Sequence, residues 1–309
     1  SGFPGTKCGT VIFHSNSLKE NFFFNTRYLM EPSTVTNDNL KPGISGFKTA
    51  LIGRAGTGKT HSLHSLVEAG IEVFAILTEP CMDVIADIPS DKLHWNYISP
   101  STASWNAMED SARKINTMAF KALTELPHVN RGEHAEYLQI MALCDNFIDQ
   151  RTGKEYGSVD NLTTNQCLWI DSWSGISYMA MNLIAGSKPV RHMGDYGVSM
   201  DNLERFAIRT TQNLWCHVVI VCHPAREKDE LTGGTTMMID TIGQKLAPKL
   251  PKLFTDIINT ERTEGKFYWS TITSNMELKA RNLPWADNMK PDFTPMVENW
   301  REKDRLSRL

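Results

Sequence analysis

An α/β fold, with a mainly parallel sheet covered by helices on both faces, is what this 309-residue sequence predicts. Two observations carry the prediction. From residue 47 onward short apolar runs alternate with stretches of helical spacing, the pattern of strands buried on both faces and of the helices that cross between them. Between the first apolar run and the first helical stretch stands Gly53-Arg54-Ala55-Gly56-Thr57-Gly58-Lys59-Thr60, a complete G-x-x-x-x-G-K-T.

In order, strands are expected at 47–52, 71–77, 93–98, 167–170 and 217–222, and a less buried one at 267–273. After the glycine octapeptide, Leu63, Leu66 and Val67 fall on one helical face, and Gly70 stops that helix. Two further helices are expected near 103–125 and 133–149, inside a long interval 101–165 that separates core strands and ends in a loop containing Gly153, Gly157 and Asn161. Residues 1–45 are Pro/Gly-punctuated. Their Phe22-Phe23-Phe24 cluster is expected to pack on the core as an N-terminal extension. Residues 46–285 form the core, with 101–165 as a helical insertion, and 286–309 a C-terminal tail. No repeat or low-complexity tract is present.

The octapeptide is a Walker A loop in its proper context, strand before and helix behind, and it implies a bound nucleoside triphosphate. Glycines 53, 56 and 58 let the backbone turn its N–H groups toward the phosphates, and the helix start adds its positive dipole end. Arg54, Ala55, Thr57 and the next residue, His61, complete the cradle. Lys59 supplies a mobile cation, and the Thr60 hydroxyl is placed for Mg²⁺. Leu168-Trp169-Ile170-Asp171-Ser172 is an apolar strand ending in a carboxylate, the form a Walker B aspartate takes when it holds Mg²⁺ through water. The other reading of Asp171 is a cap for the next helix. Glu79 ends the strand at 71–77, where open α/β sheets place their ligands, so its carboxylate could polarise an attacking water; it could equally be a solvent-facing loop residue.

With these residues in place, roughly 46–285 resembles the phage-encoded RecA-like P-loop ATPases, a group linked to single-strand annealing and recombination. Glu79 follows the loop helix as that family's catalytic glutamate does, and Asp171-Ser172 matches its Walker B pair. His223, ending the 217–222 strand, stands where the family often has a Gln that senses the γ-phosphate. Lys279-Ala280-Arg281 is similar to a trans-acting finger that reaches the nucleotide of the neighbouring subunit. Asp195-Tyr196-Gly197 and the 246–254 stretch add weaker likeness. The resemblance implies an oligomer that hydrolyses Mg-ATP and binds single-stranded DNA through 186–197, with Lys188, Arg191 and His192, and 226–245, with Arg226, Lys228 and Lys245. If the chain is phage-encoded, its place is the host cytoplasm. The alternatives are a nucleotide-gated assembly ATPase that binds no DNA and a small-molecule kinase. A kinase should carry an arginine-rich lid, and none is evident; no N-K-x-D for guanine is present, which favours ATP.

Composition excludes other classes. A net charge of −3 gives no global field for nucleic acid, so any such contact is local. The six cysteines form no C-x-x-C pair and sit mostly in apolar runs, which points to buried thiols in a cytoplasmic protein and no zinc site. Ser1-Gly2-Phe3 lacks an initiator Met and a charged-then-apolar leader and reads as a processed or artificial start. No apolar stretch is long enough to cross a bilayer, so no membrane partner is expected.

Overall fold

The computed structural model describes residues 43–100, 105–125, 134–186, 188–228, 234–243 and 245–309. The Phe22-Phe23-Phe24 cluster and nearly all of the expected N-terminal extension lie outside them. In chain order the elements are β1 (Lys48–Ile52), α1 (Leu63–Glu68), β2 (Glu72–Leu77), β3 (Leu93–Tyr97), α2 (Trp105–Thr117), α3 (Phe120–Thr124), α4 (Glu136–Asp145), β4 (Phe147–Ile148), β5 (Glu155–Gly157), β6 (Gln166–Asp171), α5 (Trp173–Ala185) and α6 (Met193–Ile208). They continue with β7 (His217–Cys222), β8 (Pro224–Lys228), β9 (Thr235–Ile239), β10 (Asp256–Thr263), β11 (Lys266–Ser270), β12 (Lys279–Ala280) and α7 (Thr294–Ser307).

The main sheet runs β11-β10-β1-β7-β6-β2-β3, with β12 paired to β10. From β10 to β3 every neighbour is parallel; only β11 and β12 run against β10. The mainly parallel sheet flanked by helices is therefore observed as expected. Period-2 alternation sends Ala50, Ile52, Phe74, Ile76, Leu168, Ile170, Val218 and Ile220 into one apolar layer, with α4, α5 and α6. Their alternate neighbours, including Leu51, Val73, Ala75, Trp169, Val219 and Val221, enter the opposite layer with α1 and α7. Both faces are buried, which is why these strands read as continuous apolar runs, and each fully buried aliphatic contributes about 1.5–3 kcal/mol.

The differences from expectation have local causes. The helix expected near 103–125 is broken between Thr117 and Phe120, and the one near 133–149 ends at Asp145, where β4 begins. The segment 286–309 is not a bare tail: α7 buries Met296, Val297 and Trp300 against the α1 side of the sheet. Strand β10 was not anticipated. Its first half is buried between β1 and the edge, whereas its second half, through Glu261, Arg262 and Thr263, is exposed and polar and hides the strand pattern.

Candidate active site

β1 ends at Ile52, and the Gly53 N–H donates to the Cys222 carbonyl at 3.2 Å, tying the start of the loop to the end of β7. A side chain at Gly53 is excluded: a Cβ there would lie 1.9 Å from Thr260 Oγ1. Gly56 and Gly58 adopt φ of +74° and +81°, the left-handed region that glycine enters freely. Thr57 Oγ1 and Thr260 Oγ1 share a hydrogen bond of 2.7 Å, which pins the loop to β10. Lys59 is buried, and its ammonium donates to the carbonyls of Gly53 at 2.7 Å and Arg54 at 2.8 Å. Burial lowers its pKa, while the carboxylates of Asp171 and Glu79 work against the fall. Past Thr60, His61 is exposed, with its ring centroid 4.8 Å from that of His64.

Asp171 closes β6, beside Leu77 of β2 and Val221 of β7. Its carboxylate is 2% exposed and accepts a hydrogen bond of 2.7 Å from Thr60 Oγ1. Burial raises its pKa, opposed by the Thr60 hydroxyl and the Lys59 cation. A hydroxyl oxygen touching a buried carboxylate at the foot of a phosphate loop is a hard-oxygen donor pair, and it fits Mg²⁺. Helix α5 is capped by Ser172, whose Oγ accepts from the Gly175 N–H at 3.3 Å, so the capping role weighed for Asp171 belongs to its neighbour.

Thr78 joins the tips of β2 and β6. Its N–H donates to the Asp171 carbonyl at 2.6 Å, and its Oγ1 accepts from the Ser172 N–H at 2.9 Å. That stitch delivers Glu79 to the loop side of the sheet. Glu79 Oε1 accepts a short hydrogen bond from Ser172 Oγ and meets His223 Nε2 at 3.2 Å. The carboxyl is held below its ordinary range, chiefly by the His223 hydrogen bond, with burial acting against it and Ser172 adding to the fall. Thr60, Asp171, Glu79 and His223 thus converge from the loop, β6, the β2 tip and the end of β7. Nothing in the sequence flagged Thr78, Ser172 as a partner of Glu79, or Thr260, because their roles exist only in the fold.

Lys279 and Arg281 do not stay together. The Lys279 ammonium donates to the Pro251 carbonyl at 2.7 Å and to that of Phe254 at 3.4 Å, within its own chain, whereas Arg281 is exposed. The expected strand-facing loops also differ from expectation. In 186–197, α6 has already begun at Met193. The Asp195 carboxylate there accepts from the His192 N–H at 2.7 Å and pairs with Lys188 at 3.1 Å, their side chains only 11% and 6% exposed. Arg191 remains exposed. In 226–245 the chain forms the antiparallel β8–β9 hairpin, with Arg226 exposed; residues 229–233 and 244 lie outside the described residues. Lys228 closes β8, and Lys245 is exposed beyond the hairpin.

An open cavity of about 650 Å³ is bordered by Gly53 to Thr57, by the β8–β9 hairpin from Pro224 onward and by Asn259 to Arg262 of β10.

A family model described as an AAA domain matches residues 45–281. No curated protein matches the chain. Among solved structures, a prototypical ATPase from the type III secretion system of pathogenic bacteria is 14% identical at a TM-score of 0.36, over 71% of this chain and 53% of that one. This chain thus spans about half the length of that protein. The RadB recombinase is 11% identical at a TM-score of 0.34, over 80% and 86% of the two chains. The flagellar accessory protein FlaH from Methanocaldococcus jannaschii is 12% identical at 0.30, over 75% and 80%.

Proposed function

This chain belongs to the AAA domain family and is a P-loop ATPase-type protein; from that premise we propose that it binds and hydrolyses Mg-ATP as an oligomer of RecA-like type, acting on single-stranded DNA in phage recombination or replication. The observation that carries the hydrolytic reading is the 2.7 Å contact between the Thr60 hydroxyl and the Asp171 carboxylate, with Glu79 held beside it by Ser172 and His223.

The loop amides and Lys59 hold the β- and γ-phosphates. When nucleotide arrives, Lys59 exchanges the Gly53 and Arg54 carbonyls for phosphate oxygens. Thr60 and Asp171 would hold Mg²⁺, which when bound neutralises charge developing on the phosphates. Glu79, ionised at neutral pH, orients a water toward the γ-phosphorus and takes its proton; the Ser172 and His223 bonds fix the carboxylate's direction. Arg281 from a neighbouring copy supplies the remaining positive charge. The DNA half of the proposal rests on the family likeness of 46–285 and on the exposed cations Arg191, Arg226 and Lys245.

A second reading, an ATP-gated assembly protein that binds no DNA, is favoured by two observations. Lys188 is consumed by Asp195. Helix α2 carries Trp105, Met108 and Ile115 at heptad spacing, all exposed, with Trp105 85% accessible. Phosphate release measured with and without single-stranded DNA, across protein concentration and with sizing in ATP, ADP and no nucleotide, separates the readings. Rates that rise with DNA support the first; assembly that follows nucleotide with rates indifferent to DNA supports the second. Absence of Mg-ATP binding by calorimetry overturns both.

A further inference from the structure

Strand β11 carries Phe267 and Trp269 two residues apart, so both side chains leave the same face. Trp269 is buried, its ring 4.8 Å from that of Phe293 in an edge-to-face contact, and its backbone exchanges two hydrogen bonds of 2.8 Å with Met289. The strand is therefore fixed from the core side. Two residues toward the hairpin turn, Phe267 lands on the phosphate loop: a Cβ built on Gly58 would lie 3.0 Å from Phe267 Cδ1 and 3.1 Å from its Cγ. Across the ladder Phe267 pairs with Arg262 of β10, whose guanidinium carbon stands 5.6 Å from the ring centroid, within reach of a cation–π contact. The same two strands meet the loop twice more, since Thr260 Oγ1 bonds Thr57 Oγ1 at 2.7 Å and Thr260 fills the space beside Gly53. Thr60, Asp171, Glu79 and His223 meet through contacts that involve neither β10 nor β11.

An anion-binding loop must hold several amides in one concave turn, and a glycine-rich segment that is free to leave that turn binds anions less tightly. A ring seated on Gly58 limits such departures before any ligand arrives. Resting on the nucleotide reading above, we propose that Phe267 is a positioning residue for phosphate capture. Its ring, paired with Arg262 and anchored through Trp269, holds the amides of Gly58 and Lys59 in the turn that receives phosphate. The β10–β11 hairpin thereby sets how tightly a triphosphate is held and not how fast it is cleaved. The division follows from where the ring stops. It touches the loop and none of the hydrolytic groups, so its removal loosens the cradle and leaves the Thr60–Asp171 and Glu79–His223 contacts in place. Preorganisation raises affinity by removing an ordering cost from the binding step. A bound triphosphate orders the loop by itself, and the chemical step then starts from the same geometry with or without the ring.

The test uses the full chain with Phe267→Ala, Phe267→Leu or Phe267→Tyr; the side chain is 38% exposed, so none of these empties the core. Dissociation constants are measured for Mg-ATP and for magnesium tripolyphosphate, which offers phosphates and no nucleoside. They are joined by kcat at saturating ATP and by amide exchange of the nucleotide-free protein. Phe267→Ala should weaken both ligands by the same factor, about tenfold, and lower kcat by less than about twofold. Its Gly58 and Lys59 amides should exchange faster while those of Trp269 and Met289 keep their protection. Phe267→Tyr should return to the parent values and Phe267→Leu fall between. Unchanged exchange at Gly58 and Lys59 in Phe267→Ala would overturn the inference, as would a fall in kcat with both affinities intact. Weaker ATP with tripolyphosphate untouched would assign the ring to the base and overturn it too; all three results leave the nucleotide reading standing. Binding of neither ligand by the parent would sink that reading, and the exchange result would still decide whether Phe267 holds the loop.

Discussion

Thr60 and Asp171, 111 residues apart in the chain, meet with Oγ1 and Oδ2 2.7 Å apart. The contact ties the start of the loop helix to the tip of β6 and leaves a carboxylate buried beneath a loop built for anions. Burial favours the protonated acid, so the ionised Asp171 carboxylate carries an electrostatic cost that a divalent cation would relieve.

Asp171→Asn should therefore separate stability from function. A carboxyl whose folded pKa is raised contributes stability below its unfolded pKa and loses it as pH rises through the folded value, so at pH 7.5 the ionised acid weakens the nucleotide-free protein. Asparagine keeps the shape and an oxygen for Thr60 without the charge. The variant should melt above the parent in the absence of nucleotide, gain less from Mg-ATP, and release phosphate at least about a hundredfold more slowly. Thermal melts with and without Mg-ATP check this; a lower melting point for the nucleotide-free variant would count against it.

Glu79→Gln should leave ATP affinity within about twofold and slow hydrolysis by about 10²–10⁴. The amide can still accept from Ser172, so the geometry survives while the base is lost. The folded carboxyl lies below its ordinary range because His223 and Ser172 hydrogen-bond the charged form, so acidification protonates Glu79 at a lower pH than an ordinary glutamate. Calorimetry for affinity and single-turnover hydrolysis for rate give the two numbers.

The fold and the phosphate loop were legible because buried parallel strands write themselves as continuous apolar runs and a phosphate cradle needs glycines at fixed offsets. Asp171 and Glu79 were legible for the same reason, as polar residues at the ends of such runs. What the sequence hid is what depends on contacts between distant segments. The Glu79–His223 contact spans 144 residues, and no local pattern encodes it. Strand β10 was hidden because half of it extends beyond the buried sheet, where nothing demands apolar side chains. Helix α7 was hidden because only Met296, Val297 and Trp300 face the core, too narrow a stripe to outweigh its charged remainder.

His217 predicts a loss of stability in acid. Its imidazole is fully buried, accepts from the Phe47 N–H at 3.1 Å and packs 4.0 Å from the Phe47 ring and 4.6 Å from Trp300. Burial, aided by the nearby Lys48 cation, pushes its pKa down to about 3. The unfolded chain binds a proton near pH 6.5 that the fold refuses, so stability rises with pH between about 3 and 6.5. At pH 5 the loss is about 2 kcal/mol relative to neutral pH. Urea midpoints at pH 5 and 7.5 should differ accordingly, and His217→Gln should be less stable overall yet show a shallower pH slope; an unchanged slope would remove His217 as the cause.

Gly53→Ala should fail for steric reasons. The new methyl would stand 1.9 Å from Thr260 Oγ1 and 2.6 Å from the Thr260 carbonyl oxygen, the latter a backbone atom that cannot swing away. Displacing the loop or β10 should cost about 1–3 kcal/mol and abolish detectable nucleotide binding. Thr260→Ala, which removes the hydroxyl, should recover part of the stability when combined with Gly53→Ala; a double variant no better than the single would show that the carbonyl dominates.

Lys279 and Arg281 should part company under mutation. Lys279 spends its ammonium on the Pro251 carbonyl inside one chain, so Lys279→Ala should lower the stability of the isolated subunit by about 1 kcal/mol at any concentration. Arg281 is exposed, and its backbone N–H, not its guanidinium, anchors it to Asp256 Oδ1 at 2.8 Å. Its side chain is thus available to a neighbour. Arg281→Ala should match the parent in turnover per site at dilutions where subunits are separate, and fall about 10³-fold or more behind it where they assemble. A mixture of Arg281→Ala with Asp171→Ala subunits supplies some interfaces with an intact metal pair from one copy and an intact arginine from the other. Activity in the mixture above the sum of the two variants shows that Arg281 works across the interface; activity equal to that sum returns it to a surface role.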